Sequence, residues 1–263
     1  MEQERPPPSV MERMWGREPV TRRGPRPRLD LATITAAAIE IADAEGLGGV
    51  SMASVASRVG VAATALYRYI GSKEDLLTVM ADGVAPLPPE PEGTPWRDYL
   101  ALWTRAQRDI VLEHVWLLSI GRLILPMGPR RLLWLDRALA ALDGTGLEHG
   151  ERINVASALS GYAITEAALV HGVGGGGPQM ENVAITGAAD YGEVLAGLLD
   201  PETYPALSAA MRSGAMGGAE GWVDDDDFVF GLDLLLDGIE ALIGRRASEG
   251  AGTPEAPGRG EVS

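Results

Sequence analysis

Between Ser51 and Lys73 the chain concentrates side chains that donate hydrogen bonds to anions: Ser51, Thr64, Tyr67, Arg68, Tyr69 and Lys73. Lys73 is the only lysine in the chain. Hydroxyls, a guanidinium and an ammonium at this density suit phosphate oxygens, and contacts of that kind position a protein on a nucleic-acid backbone. Ala63, Thr64 and Ala65 are small. They let a backbone come close to a groove, offering methyl groups to thymine and a hydroxyl to a base or a phosphate. Taken singly, each residue suits an ordinary helical surface equally well, so the reading rests on their combination.

The surrounding pattern supplies elements to hold them. Leu31, Ile34, Ala38 and Ile41 share one helical face that starts near Asp30 and ends at Gly46. Ser51 is a plausible N-cap for a second helix with Met52, Val55, Ala56 and Val59 inward. Gly60 permits a tight turn, because without a Cβ it can take positive φ. A third helix is expected over 62–69, anchored by Leu66. Ser72 to Asp75 reads as a capping box for a fourth, carrying Leu76, Leu77, Met80 and Val84.

Charge supports a nucleic-acid role for this part alone. The net charge is −15. Residues 1–85 carry 10 basic and 11 acidic groups, whereas 86–263 carry 12 and 26. The acidic remainder tunes solubility and disfavours loose DNA binding. Residues 1–29 are Pro-rich without apolar periodicity and are expected to form a disordered arm. Arg22, Arg23, Arg26 and Arg28 within it suit an adjacent minor groove, with a solvated tail as the equal alternative.

The window resembles the N-terminal domain of the TetR family of bacterial transcription regulators. The matching residues are Val50-Ser51-Met52, Val55-Ala56, Val59-Gly60-Val61, Ala65-Leu66-Tyr67-Arg68-Tyr69 and Ser72-Lys73-Glu74-Asp75-Leu76-Leu77. The family commonly has Tyr-x-His where this chain has Tyr67-Arg68-Tyr69, and a phenol can replace the imidazole as a phosphate donor. The resemblance implies DNA contacts at Ser51, Ala63, Thr64, Ala65, Tyr67, Tyr69 and Lys73, with Arg68 able to reach base or backbone.

Beyond a Pro-rich hinge at 85–93, Thr94-Pro95 reads as a helix start. Helical patterns follow at 95–113, 115–125, 128–143, 150–171, 187–199, 202–213 and 228–243, with loose segments at 172–179 and 214–221. The tail after Ala247 is expected to be disordered. Thr94-Pro95-Trp96-Arg97-Asp98-Tyr99-Leu100 and the run from Phe230 to Glu240 are similar to the C-terminal domain of the tetracycline-repressor branch. That implies an all-α protein: a three-helix helix-turn-helix domain over 30–84, then a helical domain over 94–246 that binds a small molecule and dimerises through a four-helix bundle. The lengths and apolar faces of 150–171 and 225–245 suit such a bundle.

Candidates for an apolar pocket with a few polar groups are Trp103, Gln107, Ile110, Trp116, Ile120, Leu123, Ile124, Met127, Trp134, Asn154, Ser157, Tyr162 and Glu166. Core packing is the competing role for each Trp and Met. The positions that hold the metal–drug chelate in tetracycline repressors are occupied by Ile120 or Gly121 and by Leu169, so that chemistry is not expected. His114 with Glu166 is left as a possible polar or metal pair.

No metal or other cofactor is expected, and no enzyme. Cys is absent, the three histidines are scattered, and no phosphate loop, HExxH or nucleophile elbow occurs. No run of about 18 apolar residues suggests a membrane span, and a cytoplasmic location is expected. The leading reading is a homodimeric repressor released from a double-stranded DNA operator by a small, largely apolar ligand. An activator or ligand-independent regulator of the same fold is the alternative. A hydrophobic-ligand carrier or enzyme on that fold is more remote.

Overall fold

The computed structural model describes residues 9–17, 29–120, 128–172, 194–214 and 225–251, and among them all regular structure is helical. The first helices are α1 (Val10–Met14), α2 (Leu31–Glu45), α3 (Met52–Val59), α4 (Ala63–Leu66) and α5 (Lys73–Gly83). The larger part consists of α6 (Trp96–Glu113), a 3-10 turn (Val115–Ser119), α7 (Pro129–Ala141), α8 (His149–His171), α9 (Pro205–Arg212) and α10 (Asp225–Ala251).

Local chemistry fixes most of the boundaries. Asp30 caps α2 by accepting from Thr33 N at 2.8 Å, and Ser51 caps α3 by accepting from Ser54 N at 3.0 Å. Gly60 sits at φ +73° and turns the chain between α3 and α4. Ser72 Oγ accepts from Asp75 N at 3.0 Å, but only this forward half of the expected capping box forms. Thr94 does not cap α6; its N–H closes a turn on Pro91 O at 3.1 Å, and Pro95 takes the cap position.

Three expectations change at the termini and the hinge. The N-terminal arm holds α1, capped by a Ser9–Glu12 box and burying Val10. The last helix runs on to Ala251. Its extension carries an Arg246–Glu249 pair at 2.8 Å, and Arg246 also meets Glu151 of α8 at 2.5 Å. The 85–93 segment is pinned rather than free. The carbonyls of Ala85, Pro86 and Pro89 accept from Arg130 Nη1, the Trp134 indole and the Tyr99 hydroxyl at 2.8–2.9 Å. Burial pushes the Tyr99 phenol up to about 12.

Two apolar cores form. The first joins α2–α5 through Ile34, Leu66, Ile70 and Leu76, and it also takes in Trp116, Leu117 and Ile120. The second joins α6, α7, α8 and α10 through Tyr99, Trp103, Trp134, Leu159 and Phe228. By length and composition α8 is long and apolar enough to cross a membrane. Here it packs against α6 and α7 and carries Glu151, Arg152 and Glu166.

Ion pairs fasten α10 to α6. Arg97 reaches Asp237 at 2.6 Å and Glu240 at 3.2 Å, while Arg108 and Arg105 reach Asp225 at 2.6 and 2.8 Å. Hydrogen bonds from Arg108 and Arg105 hold the Asp225 carboxyl below its ordinary range, and those from Arg246 do the same for Glu151. A depressed carboxylate contributes stability above its unfolded pKa and loses it as pH falls through the folded value. The melting midpoint is therefore expected to drop as pH is lowered from about 5 to about 3. Asp225→Asn should flatten that limb in melts recorded across the range. An unchanged acid limb would remove Asp225 from this account.

Candidate functional site

The helix-turn-helix face is built from α3, the Gly60 turn, α4 and the start of α5. Ser51, Thr64, Tyr67, Arg68 and Lys73 are exposed, whereas Ala63, Ala65 and Tyr69 are half-buried. Leu66 and Ile70, both fully buried, anchor the segment from behind. The α4 helix is one turn long, shorter than the 62–69 expected. Beyond Leu66 the chain tightens: Arg68 N bonds Ala65 O at 3.4 Å and Tyr69 N bonds Leu66 O at 2.8 Å. That closure carries Ile70 into the core and turns Tyr67 outward.

Two of these donors have other work. Ser51 Oγ is engaged with Ser54 in the α3 cap. The Tyr69 ring lies under Arg13 of α1, 5.3 Å from guanidinium carbon to ring centroid, and Arg13 Nη2 also bonds Arg68 O at 3.1 Å. This contact from the N-terminal segment was not foreseen. Arg22, Arg23, Arg26 and Arg28 lie outside the described residues.

A cavity of about 320 Å³ opens between the two cores. Trp103, Gln107, Ile110 and Val111 of α6 form one wall. Arg131, Trp134 and Leu135 of α7 form another, and α8 adds Ala156, Ser157, Ser160, Gly161 and Ile164. Leu117 completes the lining with Ala81 of α5 and Ala85 just beyond it. Both indole N–H groups are spent on backbone, Trp103 on Trp134 O at 2.9 Å and Trp134 on Pro86 O at 2.8 Å. Ser160 Oγ donates to Gln107 Oε1 at 3.0 Å, and Gln107 Nε2 is buried with no partner among the described residues.

Of the pocket candidates, Trp103, Gln107, Ile110, Trp134 and Ser157 line this cavity. Trp116 and Ile120 do not, because the helix breaks at His114 and the following turn packs into the first core. There the Trp116 indole donates to Asp43 of α2 at 2.6 Å, and His114 Nδ1 lies 2.8 Å from the same carboxylate. His114 therefore pairs with Asp43, not with Glu166. Tyr162 turns to α10: its hydroxyl donates to Phe228 O at 2.9 Å and its ring stacks on Phe228 at 5.4 Å. Glu166 is half-buried on the same helix, its carboxyl raised by burial. Asn154 is exposed. Leu123, Ile124 and Met127 lie outside the described residues.

Arg131 and Ser160 are the lining residues that sequence reasoning missed. Their signal was present: Arg131 is i, i+3 with Trp134, and Ser157, Ser160, Gly161 and Ile164 follow one helical face.

Asp82 ties the two halves together at the cavity's edge. It is 6% exposed near the end of α5, and its carboxylate accepts from Arg131 N at 2.9 Å and Arg130 N at 3.4 Å. It thereby caps α7, which has no side-chain cap of its own. Gly128 leaves room for it, since a Cβ there would collide with the Asp82 carboxylate. Asp82→Ala is expected to cost about 2 kcal/mol, the worth of a cap that also leaves N–H groups unmatched. A thermal melt should show this as a fall of about 4–8 °C; a change under one degree would mean the cap holds nothing.

The geometry can be set beside known proteins. Residues 34–80 match the model described as bacterial regulatory proteins, tetR family, and residues 87–243 match tetracyclin repressor-like, C-terminal domain. The HTH-type transcriptional repressor DrrR1 of Streptomyces coeruleorubidus is 31% identical over 258 residues, covering 92% of this chain and 88% of its own. Apo ActR from Streptomyces coelicolor superposes with a TM-score of 0.68 at 25% identity, over 84% of this chain and 99% of that one. ActR in complex with actinorhodin gives 0.67 at 25% identity, over 84% and 100%.

Proposed function

The chain belongs to the TetR family of bacterial transcription regulators, and from that premise we propose that it is a homodimeric repressor that a small, largely apolar molecule releases from its operator. The observation that carries the release step is the cavity wall. Ala81 and Ala85 line it, so a bound molecule touches the helix that leaves the DNA-binding unit. Asp82, between them in sequence, grips α7 on the opposite wall. A ligand that prefers one placement of α5 shifts the spacing of the two recognition helices. Those helices must stand about 34–36 Å apart to enter successive major grooves. The actinorhodin complex of ActR and the repressor description of DrrR1 support the same reading.

On the operator, Thr64 with Ala63 and Ala65 would meet base edges, while Ser51, Tyr67, Arg68, Tyr69 and Lys73 would meet phosphates. Arg26 and Arg28 would follow the neighbouring minor groove. Dimerisation would use the outer faces of α8 and α10.

The test begins with a genome-wide pull-down of bound DNA, followed by gel shifts on the recovered site. Repression requires target transcripts to rise in a deletion strain. A compound that binds the protein tightly yet leaves operator affinity unaltered at saturation argues against ligand release by that compound, and transcripts that fall on deletion argue against repression.

A further inference from the structure

We infer that the cavity takes an anionic aromatic molecule, an arene or fused-ring carboxylic or phenolic acid, with its rings against Trp103 and Trp134, its acid group toward Arg131 and a ring oxygen accepting from Gln107. This deepens the ligand-release reading and rests on it for the cavity's role, though not for the chemistry of its walls.

The walls are specific about what they can meet. Trp103 and Trp134 lie 6.3 Å apart, tilted by 43°. Because both N–H groups are bonded to backbone carbonyls, the indoles offer the cavity only ring surface. Polar recognition falls to a few groups. Gln107 is held by Ser160 with its Nε2 buried and unmatched, a donor facing an apolar space that needs an acceptor. Arg131 is the only charged side chain in the described lining, which contains no carboxylate. A cation in that place within a chain of net charge −15 is a selective feature. Burial lowers the Arg131 guanidinium from its ordinary value, and the nearby Asp82 charge opposes that shift. A guanidinium partly stripped of water gains most from an anionic oxygen, by charge-assisted and often bidentate bonds. At about 320 Å³ the space lies near the lower end of small-molecule sites, enough for a few fused rings.

The experiment uses the full chain with two probes of one shape, 1-naphthoate and 1-naphthamide, read by tryptophan quenching and calorimetry. Naphthoate is expected to bind at least about tenfold tighter than the neutral amide, the worth of one charged hydrogen bond. Arg131→Gln should erase that difference, Arg131→Lys should keep most of it, and Gln107→Leu should weaken both probes about tenfold. Equal affinities in the unaltered protein, a preference that survives Arg131→Gln, or no binding of either probe would overturn the inference. Should Arg131→Gln misfold by circular dichroism, the acid–amide comparison in the unaltered chain and in Arg131→Lys decides alone. Operator release is measured separately. Acid-selective binding without release leaves this ligand class standing and counts against ligand release.

Discussion

A Phe230→Glu variant is expected to sediment as a monomer at micromolar concentration, where the unaltered chain sediments as a dimer. On α10, Phe230 is 67% exposed, Leu234 58% and Val229 36%, although Phe228, Leu232 and Leu236 one face away are buried. On α8, Ile153 and Leu169 are exposed, with small residues Ala158, Gly161, Thr165 and Ala168 between them. Large apolar groups on one helix and a small-residue path on its neighbour are what two copies need to close a four-helix bundle. Burying a Phe side chain is worth about 1.5–3 kcal/mol, and two-fold symmetry uses each contact twice. A carboxylate in its place must also be desolvated, at several kcal/mol per ion. The total exceeds about 6 kcal/mol, on the order of ten-thousandfold in the dimer dissociation constant. Operator affinity should fall with it, because two heads no longer bind as one unit. Leu102→Glu, at an exposed position on α6, should leave sedimentation unchanged. A Phe230→Glu protein that still sediments as a dimer would place the interface elsewhere.

The helix-turn-helix was legible because short-range rules specify it. The Ser51 and Ser72 caps, the left-handed Gly60 and the buried set Val55, Ala56, Leu66, Ile70 and Leu76 all act within a few residues of one another. The cavity was legible only in part, because periodicity gives a helix face but not the neighbour that covers it. On the 23-residue α8, Ser157 and Ser160 meet the cavity, yet Tyr162 meets α10. Trp116 was assigned by extending the α6 pattern across His114, where the backbone leaves the helix at φ −123°, ψ 61°. Its partner Asp43 is 73 residues away, and no local pattern announces such a contact. The same holds for Asp82, which reads as a polar residue near a helix end but caps a helix 47 residues on.

Lys73→Glu is expected to weaken operator binding on the order of a thousandfold, close to evenly across operator sequences. Lys73 is exposed as the first residue of α5, directly after the Ser72 cap, where free N–H groups of the first turn also attract phosphate. Each protomer would lose one phosphate contact and gain a repulsive charge, together about 2 kcal/mol, and a dimer does so twice. Because a phosphate contact carries no base information, the relative ranking of operator variants should survive. The slope of log affinity against log salt should shrink by about two, one for each lost contact. The substitution should not disturb folding, since a carboxylate in the first turn favours the helix dipole. Circular dichroism and the melting midpoint should therefore match the unaltered chain. Thr64→Ala should behave in the opposite way, altering the preference at one base pair with little change in the salt slope. If Lys73→Glu leaves affinity and slope intact, Lys73 does not touch phosphate, and the exposed Tyr67 and Arg68 become the backbone contacts to test.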